Sequence, residues 1–195
     1  ALEHGIAFNI AGGTHHAFSD RGEAFCLLND QAIAAQYLIN QKKCHKILIV
    51  DLDVHQGNGT AEIFQNNADV ITFSMHGQSN YPFRKETSDY DIALPDKTDD
   101  TTYLSILQET LPELLNIHRP DFVFYLAGVD ILGTDKLGKL GCTLEGCKTR
   151  DSYVLGLCKS LGIPVQVSMG GGYSPAIKTI IEAHANTYRV ARALY

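Results

Sequence analysis

Ile47-Leu48-Ile49-Val50-Asp51-Leu52-Asp53-Val54-His55-Gln56-Gly57-Asn58-Gly59 passes from aliphatic to acidic within five residues. Four consecutive aliphatic residues, three of them β-branched, read as a strand buried on both faces. At the strand's end Asp51, Asp53 and His55 alternate, and side chains at i, i+2 and i+4 of an extended chain share one face. Two carboxylates and an imidazole on one face are metal-ligand chemistry by donor type and spacing. The same residues also suit the capping of a turn, so the rest of the chain has to decide.

Outward from this strand, helical and strand signals alternate. A helix is expected over Leu27–Gln41, with Ile33, Ala34, Tyr37 and Leu38 at helical spacing, and a second strand over Val70–Ser74. Tyr90–Leu94 alternates weakly, and Thr102–Asn116 is amphipathic with Leu104, Leu107, Leu111 and Leu115 on one stripe. Asp121–Ala127 is almost continuously apolar, a helix follows over Leu144–Leu161, a strand over Ile163–Ser168, and a last helix over Pro175–Leu194. Strands separated by helices predict a three-layer α/β/α domain on a mainly parallel sheet, residues 1–195 forming one domain. Such sheets bind ligands beyond the carboxyl ends of their strands, which is where Asp51, Asp53, His55, Ser74, His76, Asp130 and Gly170–Tyr173 fall.

Composition narrows the function classes. The chain has 195 residues, 45% of them hydrophobic, and a formal net charge of -6. Its longest basic cluster is Lys42-Lys43, so a direct nucleic-acid surface has little electrostatic basis. No run approaches the ~20 apolar residues of a membrane span, and no secretory leader is recognisable, so a soluble cytoplasmic protein is expected. The five cysteines are odd in number and form no C-x-x-C pair, which argues for reduced thiols.

Three further motifs carry chemistry. Gly12-Gly13-Thr14-His15-His16 places adjacent histidines in glycine-loosened backbone, where both can face one site, although a surface turn has the same composition. Asp130 follows a buried strand and would complete two carboxylates and one imidazole with Asp53 and His55, leaving one coordination position open as in catalytic zinc sites; capping the next helix is the alternative. Gly170-Gly171-Gly172-Tyr173 brings a phenol and approachable backbone toward the same end of the sheet.

Taken in order, these motifs resemble the histone deacetylase family of the arginase/deacetylase superfamily. Gly-Gly-x-His-His, Phe25-Cys26 with Leu28-Asn29-Asp30, Asp-x-Asp-x-His-x-Gly-Asn-Gly, Gly-x-Asp and Gly-Gly-Gly-Tyr all stand at the family's spacing. Gln56, Ser19-Asp20-Arg21-Gly22 and Asp135-Lys136-Leu137-Gly138 make the chain look most like class IV and bacterial members, since class I and II members usually carry His at the place of Gln56.

The resemblance implies an arginase/deacetylase-like fold and a zinc-dependent deacylase that removes acetyl or longer acyl groups from lysine side chains of proteins. Asp53, His55 and Asp130 would hold one Zn2+ per chain. His15 and His16 would be the tandem catalytic histidines, backed by Asp51 and Asn58, with His16 the general base toward a metal-activated water. Tyr173 would stabilise the oxyanion. Phe25 and Leu137 are similar to an acyl channel's wall and rim, Ala24 stands where the family more often has Gly, and Gly171 and Gly172 would approach the substrate. A structural K+ near the strand ends would fall to Asp51, Asp53, His55, Ser74 and Met75. His76 is a candidate for lining the metal site from behind, whereas His4, His45, His118 and His184 read as surface groups.

The family usually has a further N-terminal stretch, so 1–195 would correspond to the C-terminal two-thirds of its catalytic domain. That stretch would be lost by cleavage or supplied by a second chain, and without it apolar edges should be exposed. Two rivals use the same fold. Deacetylation of small N-acyl amines such as acetylpolyamines keeps the zinc and changes the substrate, while an arginase-like pair of metals needs acidic residues where Gly57 and Leu132 stand. A catalytically impaired acyl-ligand binding module is the reading from another class.

Overall fold

The computed structural model describes residues 1–10 and 12–195. Its elements, in chain order, are β1 (Ile6–Asn9), α1 (Asp30–Asn40), β2 (Ile47–Asp51), α2 (Asn58–Phe64), β3 (Val70–Gly77), β4 (Tyr90–Leu94), α3 (Asp100–His118), β5 (Phe122–Ala127), α4 (Leu144–Leu161), β6 (Val165–Met169) and α5 (Ile177–Leu194). The strands pair in the order β1-β6-β5-β2-β3-β4, parallel throughout. From β2 the chain moves outward through β3 to β4, returns to β5 on the other side of β2, and continues outward to β6. The reversal lies between β2 and β5, and the crevice beyond their carboxyl ends is where such sheets hold ligands.

The continuous apolar runs of β2 and β5 follow from burial on two faces. Ile47, Ile49, Phe122 and Phe124 pack under Ala32 and Ala35 of α1 and Phe64 of α2. Leu48, Val50, Val123 and Tyr125 face the opposite way, against Leu107 and Leu111 of α3, Val154 and Leu155 of α4, and Val190 of α5. The result is the expected three-layer α/β/α arrangement.

Local chemistry sets the helix starts. Asn29 accepts a hydrogen bond from the Ala32 amide, so α1 begins at Asp30 rather than Leu27, and Leu27 and Leu28 stay exposed. Asp99 and Thr143 cap α3 and α4 in the same way. The large apolar stripe foreseen on α1 is only partly used. Ala32 and Ala35 form the contact face because small side chains let the helix lie close to the sheet, leaving Ile33 and Tyr37 54% and 55% exposed. Leu2 and Ile10 are exposed as well, so apolar surface is present around the β1 side of the sheet.

Three sequence expectations change. The short helix α2 was not foreseen, because the glycines flanking Asn58 mask its start. Strand β3 extends to Gly77 and buries His76. His118 and His184 are half-buried rather than surface groups, and His118 Nε2 lies 2.8 Å from the Tyr90 hydroxyl. All five cysteines are buried free thiols.

Candidate metal centre and active site

Beyond the end of β2 the chain bends over the reversal point, carrying Asp53 and His55, and three residues past β5 Asp130 meets them. One potential ligand atom from each of the three lies within 4.8 Å of the others. The bend is held by its own carboxylates. Asp51 Oδ1 accepts from the Asp53 amide at 3.1 Å, Asp53 Oδ1 from the His55 amide at 2.9 Å, and Asp130 Oδ1 from the Val54 amide at 2.9 Å. Across the crevice, the Gly171 amide donates to Asp53 Oδ2 at 2.9 Å. Asp130 Oδ2 is buried and faces His55 Nδ1 at 3.2 Å.

The residues fit a divalent cation. Two buried carboxylates facing one another are costly unless a cation lies between them, and an imidazole nitrogen and carboxylate oxygens are donors that a divalent ion such as zinc accepts. Electrostatics give the same account. Burial and the charge of Asp53 raise the Asp130 carboxyl to about 7. Against the burial that opposes its charge, His55 is pushed up to about 10 by hydrogen bonds to Asp130 and Asp53. Without an ion the imidazole itself takes the cationic place between the two carboxylates.

The paired histidines come from the loop after β1. Asp30, at the start of α1, accepts from the Gly13 amide, the Thr14 amide and the Thr14 hydroxyl at 3.1, 3.0 and 2.8 Å, which fixes the loop's path. Gly13 sits at φ +97°, and a Cβ there would come within 1.9 Å of the Met169 carbonyl oxygen, so only glycine fits. His15 Nδ1 lies 2.6 Å from Asp51 Oδ2, and His16 Nδ1 lies 2.7 Å from Asn58 Oδ1. These are the two pairings that the family resemblance implied.

The two dyads are tuned apart. Burial disfavours a charge on His15, but Asp51 outweighs it and raises the imidazole to about 9. Burial, reinforced by the positive His15, lowers His16 to about 3, leaving it neutral and able to accept a proton. Asn58 Nδ2 donates to Glu23 Oε1 at 3.0 Å, and the Tyr81 hydroxyl donates to the same oxygen. That bond turns the Asn58 oxygen toward His16, whose Nδ1 must then carry the hydrogen while Nε2 keeps its lone pair.

These groups open into a cavity of about 580 Å³ that also takes in Phe25, Tyr81, Phe83, Leu137 and Tyr173. At its mouth Phe25 and Phe83 are 94% and 93% exposed. Tyr173 is half exposed, and its amide donates to the Asp135 carboxylate, whose other oxygen accepts from Leu137 and Gly138 at 2.8 Å each. One carboxylate therefore places both the phenol and the rim. Ala24 and Phe25 adopt φ of +44° and +70°, a left-handed conformation that costs a side-chain-bearing residue about 1–2 kcal/mol and accounts for the family's glycine at the position of Ala24.

Other candidates sit differently. Gly171 belongs to the metal centre as well as to the cavity wall, since a Cβ there would lie 2.1 Å from Asp130 Oδ2. Gly172 packs behind the wall, close to Val129 and Ile180, while Gly170 lines the cavity. Ser74 stands opposite Asp51 in the β2–β3 register with its hydroxyl 3.0 Å from His76 Nδ1, and the Met75 side chain is buried in the core, which leaves only its backbone oxygen to meet a cation. Gln56 is turned aside by bonds to both backbone groups of Glu86 and to Asp91. Sequence reasoning missed Glu23, Tyr81, Phe83 and Asp135. Glu23 had only its nearness to Phe25 and Asp135 its place in the Asp135–Gly138 motif, while Tyr81 and Phe83 carried no signal.

Comparison with known proteins agrees with this geometry. The histone deacetylase domain family matches residues 1–188. An uncharacterized protein of Picosynechococcus sp. is 50% identical over all of this chain, which covers 65% of that protein. Histone deacetylase 2 of Arabidopsis thaliana is 32% identical over 93% of this chain and 48% of its own length, and histone deacetylase RPD3 of Saccharomyces cerevisiae 33% over 87% and 40%. The HD domain of HDA15 superposes with a TM-score of 0.77 at 30% identity, covering 92% of this chain and 54% of that one. An acetylpolyamine aminohydrolase of Burkholderia pseudomallei gives 0.80 at 26% identity, covering 96% and 56%. The chain thus spans less than two thirds of each of these relatives, and no helix among its described residues is long and apolar enough to cross a membrane. Since the match takes in the histidine pair, the Asp53–His55–Asp130 cluster and Tyr173, the chain belongs to the histone deacetylase family.

Proposed function

We propose that the protein is a zinc-dependent amide hydrolase that removes acetyl or longer acyl groups from lysine side chains. The observation that carries this reading is the convergence, in one cavity, of the Asp53–His55–Asp130 cluster, the His16–Asn58 dyad and Tyr173. When bound there, zinc would supply a Lewis acid for the amide carbonyl and lower the pKa of water toward about 7.

The chain's own groups supply the proton chemistry. His16 Nε2 takes a proton from the attacking water and returns it to the departing amine nitrogen, which leaves as lysine. Burial, together with His15 held positive by Asp51, keeps the His16 imidazole neutral. The Tyr173 hydroxyl donates to the oxygen that turns negative as the carbonyl becomes tetrahedral. Phe25 and Phe83 flank the aliphatic stem of the substrate at an open mouth, a shape that suits a lysine borne on a protein.

Acetylpolyamines are the second substrate class, favoured by the fold's likeness to an acetylpolyamine aminohydrolase and by a net charge of -6 that attracts polycations. The test is turnover of acyl-lysine peptides and acetylpolyamines by zinc-loaded protein, with metal content measured in parallel. Turnover of the peptides, abolished by His16→Ala and strongly reduced by Tyr173→Phe, is the expected result. Failure to bind zinc, or equal turnover by the His16→Ala variant, would refute it.

A further inference from the structure

Arg150 is wholly buried in the layer beneath the sheet, and the chemistry above makes no use of it. It rises from α4 toward the reversal point. Its Nη1 donates to the Gly128 carbonyl at 2.6 Å and to the Leu52 carbonyl at 3.2 Å. Its Nε donates to Asp151 Oδ1 at 2.9 Å, and Nη2 lies 2.8 Å from that same oxygen. Asp151, also wholly buried, accepts in turn from the Tyr125 hydroxyl at 2.5 Å and the Thr187 hydroxyl at 2.7 Å. The guanidinium is anchored from behind by β5 and α5.

The two carbonyls it holds are those of the first residues beyond β2 and β5. Leu52 is bonded directly to Asp53, and Gly128 lies two residues before Asp130. The paired register of β2 and β5 ends at Asp51 and Leu126, followed only by the Leu52 amide donating to the Leu126 carbonyl at 3.2 Å. Past that point one nitrogen of Arg150 bridges both backbones where the strand ladder has stopped.

We propose that Arg150 is a positioning residue for the metal centre, clamping the two strand ends so that Asp53 and Asp130 are held at ligand spacing. The inference rests on the metal reading above. Buried ion pairs seldom add stability over well-packed apolar residues, so this pair's contribution is sought in geometry. A planar fork with fixed directions can hold the Asp151 carboxylate and two carbonyls at once, whereas a lysine ammonium cannot reproduce that arrangement.

The test uses Arg150→Lys, the double variant Arg150→Met with Asp151→Asn, which avoids orphaning a buried charge, and Leu155→Ala as a packing control on α4. Zinc affinity by chelator competition and the visible spectrum of the cobalt-substituted protein are read alongside thermal unfolding of the metal-free forms. Both Arg150 variants are expected to weaken zinc binding by about 10–100-fold and to shift the cobalt bands. The Leu155→Ala protein should lose thermal stability while keeping affinity and spectrum. Wild-type affinity and spectrum in both Arg150 variants, or an equal loss in Leu155→Ala, would overturn the proposal while leaving the metal reading intact. A wild-type protein that binds neither zinc nor cobalt would overturn the two together.

Discussion

Replacing Glu23 by alanine tests how the general base is oriented. Glu23 Oε1 receives the Asn58 amide nitrogen at 3.0 Å, while Asn58 Oδ1 stands 2.7 Å from His16 Nδ1. Glu23 accepts from the nitrogen end of that amide, with the Tyr81 hydroxyl beside it, and its carboxylate is the charged group that distinguishes that end from the oxygen end. Without it the amide can turn over and face NH2 toward Nδ1, which demands the His16 tautomer whose Nε2 carries hydrogen and cannot accept one. A hydrogen bond to a charged group contributes about 1.5–3 kcal/mol, and the half-exposed position of Glu23 argues for the low end. About 1.5 kcal/mol is roughly a tenfold fall in kcat. KM for a short acyl-lysine peptide and the zinc content should stay constant. Steady-state kinetics of zinc-loaded protein would be paired with nitrogen-15 histidine spectra that report the His16 tautomer. A kcat within twofold of wild type, with His16 still protonated at Nδ1, would refute this reasoning.

Gly171→Ala puts a methyl 2.1 Å from Asp130 Oδ2, so zinc affinity should fall about tenfold or more in chelator competition, with the fold retained by circular dichroism. Ala24→Gly removes a side chain from a left-handed residue, and after the entropy lost to glycine the expected gain is about 0.5–1 kcal/mol, read as a higher Tm. The same change should shift the preference among acyl lengths if the methyl narrows the channel. In metal-free protein the folded-state values of His15, about 9, and of Asp130, about 7, both stand above their ordinary ones. Both contributions are complete below the unfolded values and are lost as pH rises through the folded ones, so metal-free stability should decline between about pH 4 and 9 from these groups. Zinc, whose binding releases the Asp130 proton, should flatten the part of the decline between about pH 4 and 7 in denaturant titrations; an equal slope there with and without zinc would count against the assignment.

What could be read from the chain follows the physics of each element. Strands β2 and β5 announced themselves because burial on both faces leaves continuous apolar runs, and Asp51, Asp53, His55 and Asp130 were visible because sheet topology puts strand ends together. The dyads His15–Asp51 and His16–Asn58 were expected only through the family resemblance. Glu23, Tyr81 and Asp135 were not foreseen, since each acts through a contact between loops that no periodicity encodes. Helix α1 shows the opposite error. Of the expected face Ala34 and Leu38 do pack against the core, but close approach to Ile47 and Phe122 buries Ala32 and Ala35 most deeply and leaves Ile33 and Tyr37 outside. Arg150 lay in a helix whose pattern gave no hint that its charge would be buried.

The bond from Gly171 to Asp53 joins residues 118 apart in the chain, and that from Arg150 to Leu52 joins residues 98 apart. A centre stitched together over such loops has no local precursor. Its closing partner comes from the chain beyond β6, and β6 must slot between β5 and the first strand before the pieces meet. Contacts of this range come late because loop closure has to precede them. Acquisition of the ion during refolding would therefore time the last step of sheet assembly, and a chain that holds the metal has already completed its topology.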